Sequence, residues 1–300
     1  MEMNKTLVII VTYNGIKWIK KCLNSIMTST IPLHTFIIDN GSTDGTIEYI
    51  KKNFSSVKLY LSENNLGFGK ANNIGLQYAL ENQYEYVYLL NQDAWLKPDT
   101  IEKLIAIQKK HTDYGILSPF QLQANENNFD NHFGSGVCSW YSNKNILQDL
   151  YFNRVKEVYP VSFVMAAHWL ISIDCLKKVG GFSPTFPHYG EDNNYIDRAV
   201  YNNIQVGIVP RSHAIHDRED RILTKKNILY MSYIKRLILI SNINNETTYS
   251  LPKIILSSFK ETIKYKSILP LYYLLKIVTN INTIANNKKK SKNQCAFLNI

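Results

Sequence analysis

The order of apolar segments predicts an α/β fold in which a mostly parallel sheet is flanked by helices. Two observations carry this expectation. Through the first hundred residues, apolar runs of strand length alternate with segments whose apolar residues recur every three or four positions, the pattern of a parallel sheet with right-handed crossovers. Each apolar run also ends in a cluster of Gly, Asn, Asp, Ser or Thr, and ligands of open α/β sheets gather at the carboxyl ends of the strands.

Taken in order, residues 7–11 read as a strand ending in Thr12-Tyr13-Asn14-Gly15, and residues 16–27 as a helix. Residues 35–38 form the next strand and run into Asp39-Asn40-Gly41-Ser42-Thr43-Asp44-Gly45. Two readings compete for this turn: its short oxygen-bearing side chains hold a polar ligand, or Ser42 or Asp44 caps the helix expected over 46–54. A strand over 57–61 leads to Glu63-Asn64-Asn65-Leu66-Gly67-Phe68-Gly69 and a helix over 70–80. A strand over 86–90 then ends in Asn91-Gln92-Asp93, and a helix over 98–108 starts on Pro98, which suits a first helical turn. Between Gln121 and Tyr159 the alternation stops, and the segment reads as an insertion. A later helix over 193–201 has Ile196, Ala199 and Val200 on one face, preceded by Gly190-Glu191-Asp192.

With 300 residues and 45% apolar composition the chain can bury a large core. Its net charge of +10 is unevenly placed: residues 225–300 hold 13 basic and 2 acidic side chains, leaving 21 basic and 22 acidic before them. This divides the chain into a catalytic-type domain over 1–224 and a basic, helical extension over 225–300. Gly67-Phe68-Gly69-Lys70-Ala71-Asn72 lacks the third glycine of a dinucleotide fingerprint, and there is no Walker sequence. Cys22, Cys138, Cys175 and Cys295 have no metal-type spacing. With no apolar signal segment ahead of the first strand, a cytoplasmic protein is expected.

The ordered set Val11-Thr12-Tyr13-Asn14, Asp39-Asn40-Gly41-Ser42-Thr43-Asp44-Gly45-Thr46, Asn64-Asn65-Leu66-Gly67-Phe68-Gly69-Lys70-Ala71-Asn72-Asn73 and Gly190-Glu191-Asp192 resembles the nucleotide-sugar glycosyltransferases of family 2, in particular a rhamnosyltransferase-like subgroup. The resemblance spans roughly residues 5–220 and implies the single-domain GT-A fold. It implies that the first clusters hold the donor: Thr12, Tyr13, Asn14, Asp39, Asn40 and Ser42, with Asp39 as principal base contact, then Asn65, Gly67, Asn72, Asn91 and Gln92. Asn91-Gln92-Asp93 stands at the family's Asp-any-Asp metal motif. Asn91 departs from that motif, since an amide can bond a ribose hydroxyl but brings no charge. Asp93 then remains as the anionic metal ligand, which suffices for Mg²⁺ when the donor's phosphates and water complete the shell. His216 matches the place of a late metal ligand and suits Mn²⁺ somewhat better. It also reads as a solvated loop histidine, and His213 competes for the role.

The resemblance makes Asp192 the base that removes a proton from the acceptor hydroxyl, with inversion at the anomeric carbon; Glu191 is the alternative. Phe182, Phe186 and Tyr189 surround the pair with aromatic surface, which raises a carboxylate's proton affinity. Both acids equally suit a helix N-terminus. Glu191, His168 and Trp169 are expected on the acceptor side, the last two from the segment over 161–171, although His168 also reads as a satisfied core residue. The insertion would face the acceptor, with Trp140, Tyr141 and Tyr151 available to stack on sugar rings. The implied partners are a nucleoside-diphosphate sugar and a glycan or lipid-linked acceptor in surface polysaccharide synthesis, with a divalent metal, Mg²⁺ or Mn²⁺, as cofactor.

Two rivals stand beside this. A nucleotidyltransferase needs a Gly-rich basic loop after its first strand, which Thr12-Tyr13-Asn14-Gly15 lacks. A carbohydrate-binding or scaffold protein of the same fold with impaired catalysis fits the acid lost at Asn91. In the C-terminal extension, lysines interrupt the apolar runs over 227–243 and 251–284, so neither spans a bilayer. They read as basic amphipathic helices at a membrane surface, with Tyr265, Tyr272 and Tyr273 near the headgroups, or as a helical cap packed on the main domain. Nucleic acid is not expected, because interleaved Arg and aromatic residues are sparse here. Lys288-Lys289-Lys290 falls in an expected disordered tail.

Overall fold

A computed structural model describes residues 5–138, 140–218, 224–245 and 251–299, and only the backbone of residues 140–144. The first half follows the expected alternation: β1 (Thr6–Thr12), α1 (Ile16–Met27), β2 (His34–Asp39), α2 (Thr46–Asn53), β3 (Lys58–Leu61), α3 (Phe68–Glu81) and β4 (Tyr86–Asn91). β3, β2, β1 and β4 lie side by side and parallel, with Thr12 opposite Asp39 and Val11 opposite Asn91. This register brings three polar strand ends to one rim. Alternate residues divide the core: Leu7, Ile9, Val87 and Leu89 pack under α3, while Val8, Ile10, Tyr88 and Leu90 pack under α1 and α4 (Thr100–Lys110).

Gly75 of α3 is where helix and sheet come closest, since a Cβ there would lie 2.7 Å from Ile9 Cδ1 and Cγ2. Ile9 is fully buried in the middle of the sheet and has no room to yield. Gly75→Ala is therefore expected to destabilise by about 1–3 kcal/mol despite alanine's better helix propensity, measurable as a lower urea midpoint.

Beyond β4 the chain adds detail that the apolar pattern left open. After β5 (Ala94–Leu96), the sheet continues through β6 (Tyr114–Leu122), β8 (His168–Ser172) and β9 (Gln205–His216), in the order β4-β8-β6-β9-β5, with β7 (Tyr159–Pro160) beside β9. β8 runs antiparallel to both β4 and β6, so the sheet is mixed here; an unbroken apolar run shows no strand direction. The insertion, for which the sequence pattern assigned no elements, contains two helices, α5 (Asn131–Gly136) and α6 (Trp140–Tyr151). Pro98 lies two residues before α4, and its carbonyl accepts from Thr30 N at 2.9 Å.

α7 (Ile173–Val179) and α8 (Glu191–Tyr201) flank the loop that carries Gly190. α9 (Lys225–Ser241), α10 (Leu251–Tyr265), α11 (Leu269–Thr279) and α12 (Ile281–Lys290) form a separate apolar cluster, in which Leu229, Ile234, Leu237, Ile254, Tyr273 and Ile277 pack together with Phe186. The end of the chain corrects the expectation of a disordered tail. Lys288-Lys289-Lys290 closes α12, Cys295 N donates to Lys177 O, and Gly181 N donates to Ala296 O. Backbone pairing to the loop after α7 is invisible in a polar, lysine-rich sequence.

Candidate active site

The ends of β1 and β2 are laced together by short side chains. Asp39 is fully buried; it accepts from Thr12 Oγ1, Gly41 N and Ser42 N, each at 2.9 Å, and from Ser42 Oγ. Asn14 N donates to Ser42 Oγ, Asn14 Oδ1 accepts from Thr43 N, and Gly15 N donates to Thr46 Oγ1. Asp44 accepts from Thr46 N and, across the loops, from Ile16 N. Four of the expected donor contacts are engaged within the protein. Thr12, Asp39 and Asn40 are buried and spend their polar atoms on the loops themselves, Asn40 accepting from Leu66 N. Asn72 is buried in α3 and donates to Phe68 O. The surface these residues shape is presented by Tyr13, Asn14 and Asn65, which are exposed, and by the part-exposed Ser42.

Gln92 is committed to the first loop, its amide accepting from Tyr13 N at 2.9 Å and donating to Tyr13 O at 3.1 Å. Asn91, part-exposed at the end of β4, lies opposite Val11. Gly67 has φ +81°, and a Cβ on it would come within 2.9 Å of Pro187 O, so the β3–α3 loop rests directly on the segment leading to Asp192. Asn73 fastens the same two regions: its amide accepts from Phe182 N at 2.6 Å and donates to Phe182 O at 2.9 Å.

The pairing of β5 with β9 puts Ala94 opposite His216, which carries Asp93 to the imidazole. His216 is 2% exposed, with Nε2 3.6 Å from Asp93 Oδ1 and Nδ1 3.6 Å from Asp130 Oδ2. His216 is thus a buried strand residue and not a solvated loop histidine, whereas His213 is exposed, with its ring against Phe120. Asp130 is 1% exposed, and its Oδ1 caps α5 by accepting from His132 N and Phe133 N at 2.9 Å. Arg218 Nε lies 3.3 Å from both Asp130 Oδ2 and His216 Nδ1. Burial pushes the Asp93 carboxyl up, but His216 and then Arg218 outweigh it and hold Asp93 below the usual carboxylate range.

Asp192 stands in the first turn of α8 and accepts from Asn193 N at 2.8 Å. Burial raises it to about 6, against the pull of backbone donors and of the Arg218 charge. Glu191 is raised further, to about 8, by burial and then by Asp192. Burial thus raises both carboxyls, and the charge of Asp192 raises Glu191 further, a separation of the kind that assigns acid and base in a carboxylate pair. Glu191, expected on the acceptor side, is buried, its Cβ faces Gly69 in α3, and its Oε2 has no hydrogen-bond partner.

His168 and Trp169, also expected on the acceptor side, lie deeper. Both are fully buried. His168 Nε2 donates to Ile215 O and Nδ1 accepts from Tyr88 Oη, each at 3.0 Å; the carbonyl can only accept, which assigns the tautomer. Burial and then His216 press this ring down to about 3, so it is a neutral support packed edge-on behind His216, ring centres 6.4 Å apart. Trp169 Nε1 donates to Val164 O, and its ring stacks on Phe182. The stacking expectation for Trp140 and Tyr141 lies outside the described side chains; Tyr151 is 83% exposed.

The chain belongs to glycosyl transferase family 2: the family model of that description matches residues 7–179. Its fold is GT-A, shared with solved members of that architecture. The TarS 1–349 structure from S. aureus superposes with a TM-score of 0.59 at 18% identity, over 96% of this chain and 80% of that one. The mannosyltransferase PcManGT from Pyrobaculum calidifontis, solved with GDP-Man and Mn²⁺, gives 0.57 at 16% identity over 95% and 76%. In sequence, the glycosyltransferase GlyA of Streptococcus pneumoniae is 30% identical over 173 residues, which is 55% of this chain and 24% of GlyA. This chain thus spans about a quarter of that relative's length. The low-salt glycan biosynthesis hexosyltransferase Agl10 of Haloferax volcanii is 24% identical over 183 residues, 61% of this chain and 58% of Agl10.

Proposed function

We propose that this chain is an inverting glycosyltransferase that moves a sugar from a nucleoside diphosphate to a hydroxyl of a glycan or lipid-linked acceptor in surface polysaccharide synthesis. The observation that carries this reading is the grouping of Asp93, His216, Arg218 and Asp192, in which the charge of Arg218 acts on both Asp93 and Asp192. Asp192 takes the proton of the attacking hydroxyl as the bond to the anomeric carbon forms, and it is ionised for that task at neutral pH. Arg218 offers a guanidinium to the diphosphate that leaves, where negative charge grows during displacement. Tyr13, Asn14, Ser42 and Asn65 line the donor cleft. Donors solved with family relatives, such as UDP-GlcNAc in TarS, support a nucleotide-sugar donor.

The residues present fit a divalent cation that the substrate helps to hold. Among the described residues no group of three or more His, Cys, Asp or Glu side chains converges on one point, so Asp93 and His216 would bind Mn²⁺ or Mg²⁺ together with the donor's phosphate oxygens. Bound there, the ion would neutralise charge on the leaving diphosphate. Nε2 is the ring nitrogen that would face the cation, while Nδ1 accepts from Arg218 Nε at 3.3 Å and Asp130 Oδ2 holds that same Nε at 3.3 Å, so Asp130 acts on the ring through Arg218.

Asp130→Asn separates the two tasks of Asp130, since Asn caps a helix as well as Asp does. The variant should keep its melting temperature within a few degrees while its affinity for Mn²⁺ with nucleoside diphosphate falls about tenfold to a hundredfold. Calorimetric titration and thermal unfolding, read together, check this. The enzyme reading itself is tested by incubating the chain with a panel of nucleotide sugars and Mn²⁺ and measuring nucleoside diphosphate released; an impaired binder would be stabilised by a donor without consuming it.

A further inference from the structure

α10 and α11 pack as a pair, and each turns one stripe inward and another outward. Ile254 and Ser258 of α10 and Tyr273 and Ile277 of α11 are buried against α9, where Tyr233 stacks on Tyr273 at 4.9 Å. The outward stripes are also apolar. On α10 they are Leu251, Ile255, Leu256, Phe259 and Ile263, spaced by four, one, three and four residues, and hence on one helix face. On α11, Tyr272, Leu275 and Val278 continue the surface, and Ile268 stands at the turn between the helices. Ile263 and Ile268 are 78% and 79% exposed. A continuous patch of large apolar side chains is not an ordinary solvent face.

The charges around this patch are of one sign. Residues 251–279 carry Lys253, Lys260, Lys264, Lys266 and Lys276 against a single acid, Glu261. Glu261 is turned inward, 2.7 Å from Arg236 Nη2 and bonded to Ser232 Oγ. At 100° per residue, Lys260 and Lys264 fall along the margin of the α10 stripe, away from its buried edge. Apolar side chains beside a lysine margin match the two layers of a lipid surface, acyl chains below and anionic headgroups above. No helix among the described residues is long and apolar enough to cross a membrane.

We propose that the α10–α11 hairpin docks this chain onto the surface of an anionic bilayer, lying in the interface with Phe259, Ile263, Ile268 and Leu275 in the acyl boundary. The hairpin is mechanically continuous with the active-site loop. α9 stands between them, with Tyr230 Oη donating to His188 O at 2.9 Å, and a Cβ on Gly190 would meet Ile234 at 2.9 Å. Docking would thus set the height of Asp192 above the lipid. The inference does not depend on which reaction the site performs.

The test is co-sedimentation of the full chain with vesicles of phosphatidylcholine alone and of phosphatidylcholine with roughly a third phosphatidylglycerol. We expect at least about tenfold tighter binding to the anionic vesicles, weakened by salt. The double variant Ile263→Glu and Ile268→Glu, both at exposed positions, should lose at least about tenfold with unchanged thermal unfolding. Lys260→Glu with Lys264→Glu should remove the preference for anionic vesicles while the apolar face stays intact. Absence of vesicle binding overturns the proposal, as does equal binding by both variants. A dimer that Ile268→Glu dissociates, with no affinity for vesicles, also overturns it and assigns the patch to a second copy of the chain.

Discussion

Asp192→Asn is expected to lower sugar transfer by about a hundredfold to ten-thousandfold, the range that positioned proton transfer contributes. Asparagine keeps the acceptor that Asn193 N uses and the volume of the side chain, so the start of α8 should be undisturbed. Nucleoside diphosphate should therefore bind the variant as it binds the parent. The pH profile supplies a second readout. With Asp192 raised to about 6 by burial, the parent's kcat/KM should be flat above that value and fall tenfold per unit below it, as the base becomes protonated. Near-parental transfer by the variant, or an unchanged acid limb, would assign the proton to another group. Glu191, held near 8, would then be examined by Glu191→Gln.

Asp93→Ala should act at the other end of the site. Among the described residues Asp93 is the carboxylate that faces His216 Nε2, and Asn91 cannot replace its charge. Affinity for Mn²⁺ with nucleoside diphosphate should drop by more than about a hundredfold, beyond the loss typical of an outer partner such as Asp130. In calorimetry the heat of nucleotide binding should lose its dependence on Mn²⁺. Retention of metal-dependent binding would place the cation elsewhere or show that His216 and the phosphates hold it alone. The variant also leaves the cluster of Asp130, His216 and Arg218 with one negative charge fewer, so its stability should be compared at the same pH.

The half of the site that was legible in the sequence lies where function follows chain order. Asp39, Asn65 and Asp93 each sit just beyond an apolar run, and a strand followed by short polar residues marks a rim position wherever it occurs. The roles within those clusters were less legible. Asp39 and Thr12 have the chemistry of ligand contacts and are tied into loop bonds, and Asn72 bonds back within α3, because buried polar atoms must be paired. The burial of His168 and Trp169 was hidden for a related reason: an apolar segment of strand length does not reveal which way its polar members turn.

By itself the chain's order of residues determined the alternating fold, the rim on which the clusters gather and the basic character of the last quarter, since all three arise from local periodicity and composition. Only the tertiary structure decided that Asp130 and Arg218 join His216, that Glu191 turns inward beside Asp192, that the lysine-rich end is docked and that α10 and α11 leave an apolar face uncovered. Those outcomes depend on contacts between distant segments, such as β9 carrying His216 to Asp93 or α9 covering one side of a hairpin. Burial and register are properties of the packed whole, and a one-dimensional pattern names the candidates without saying which way their side chains turn.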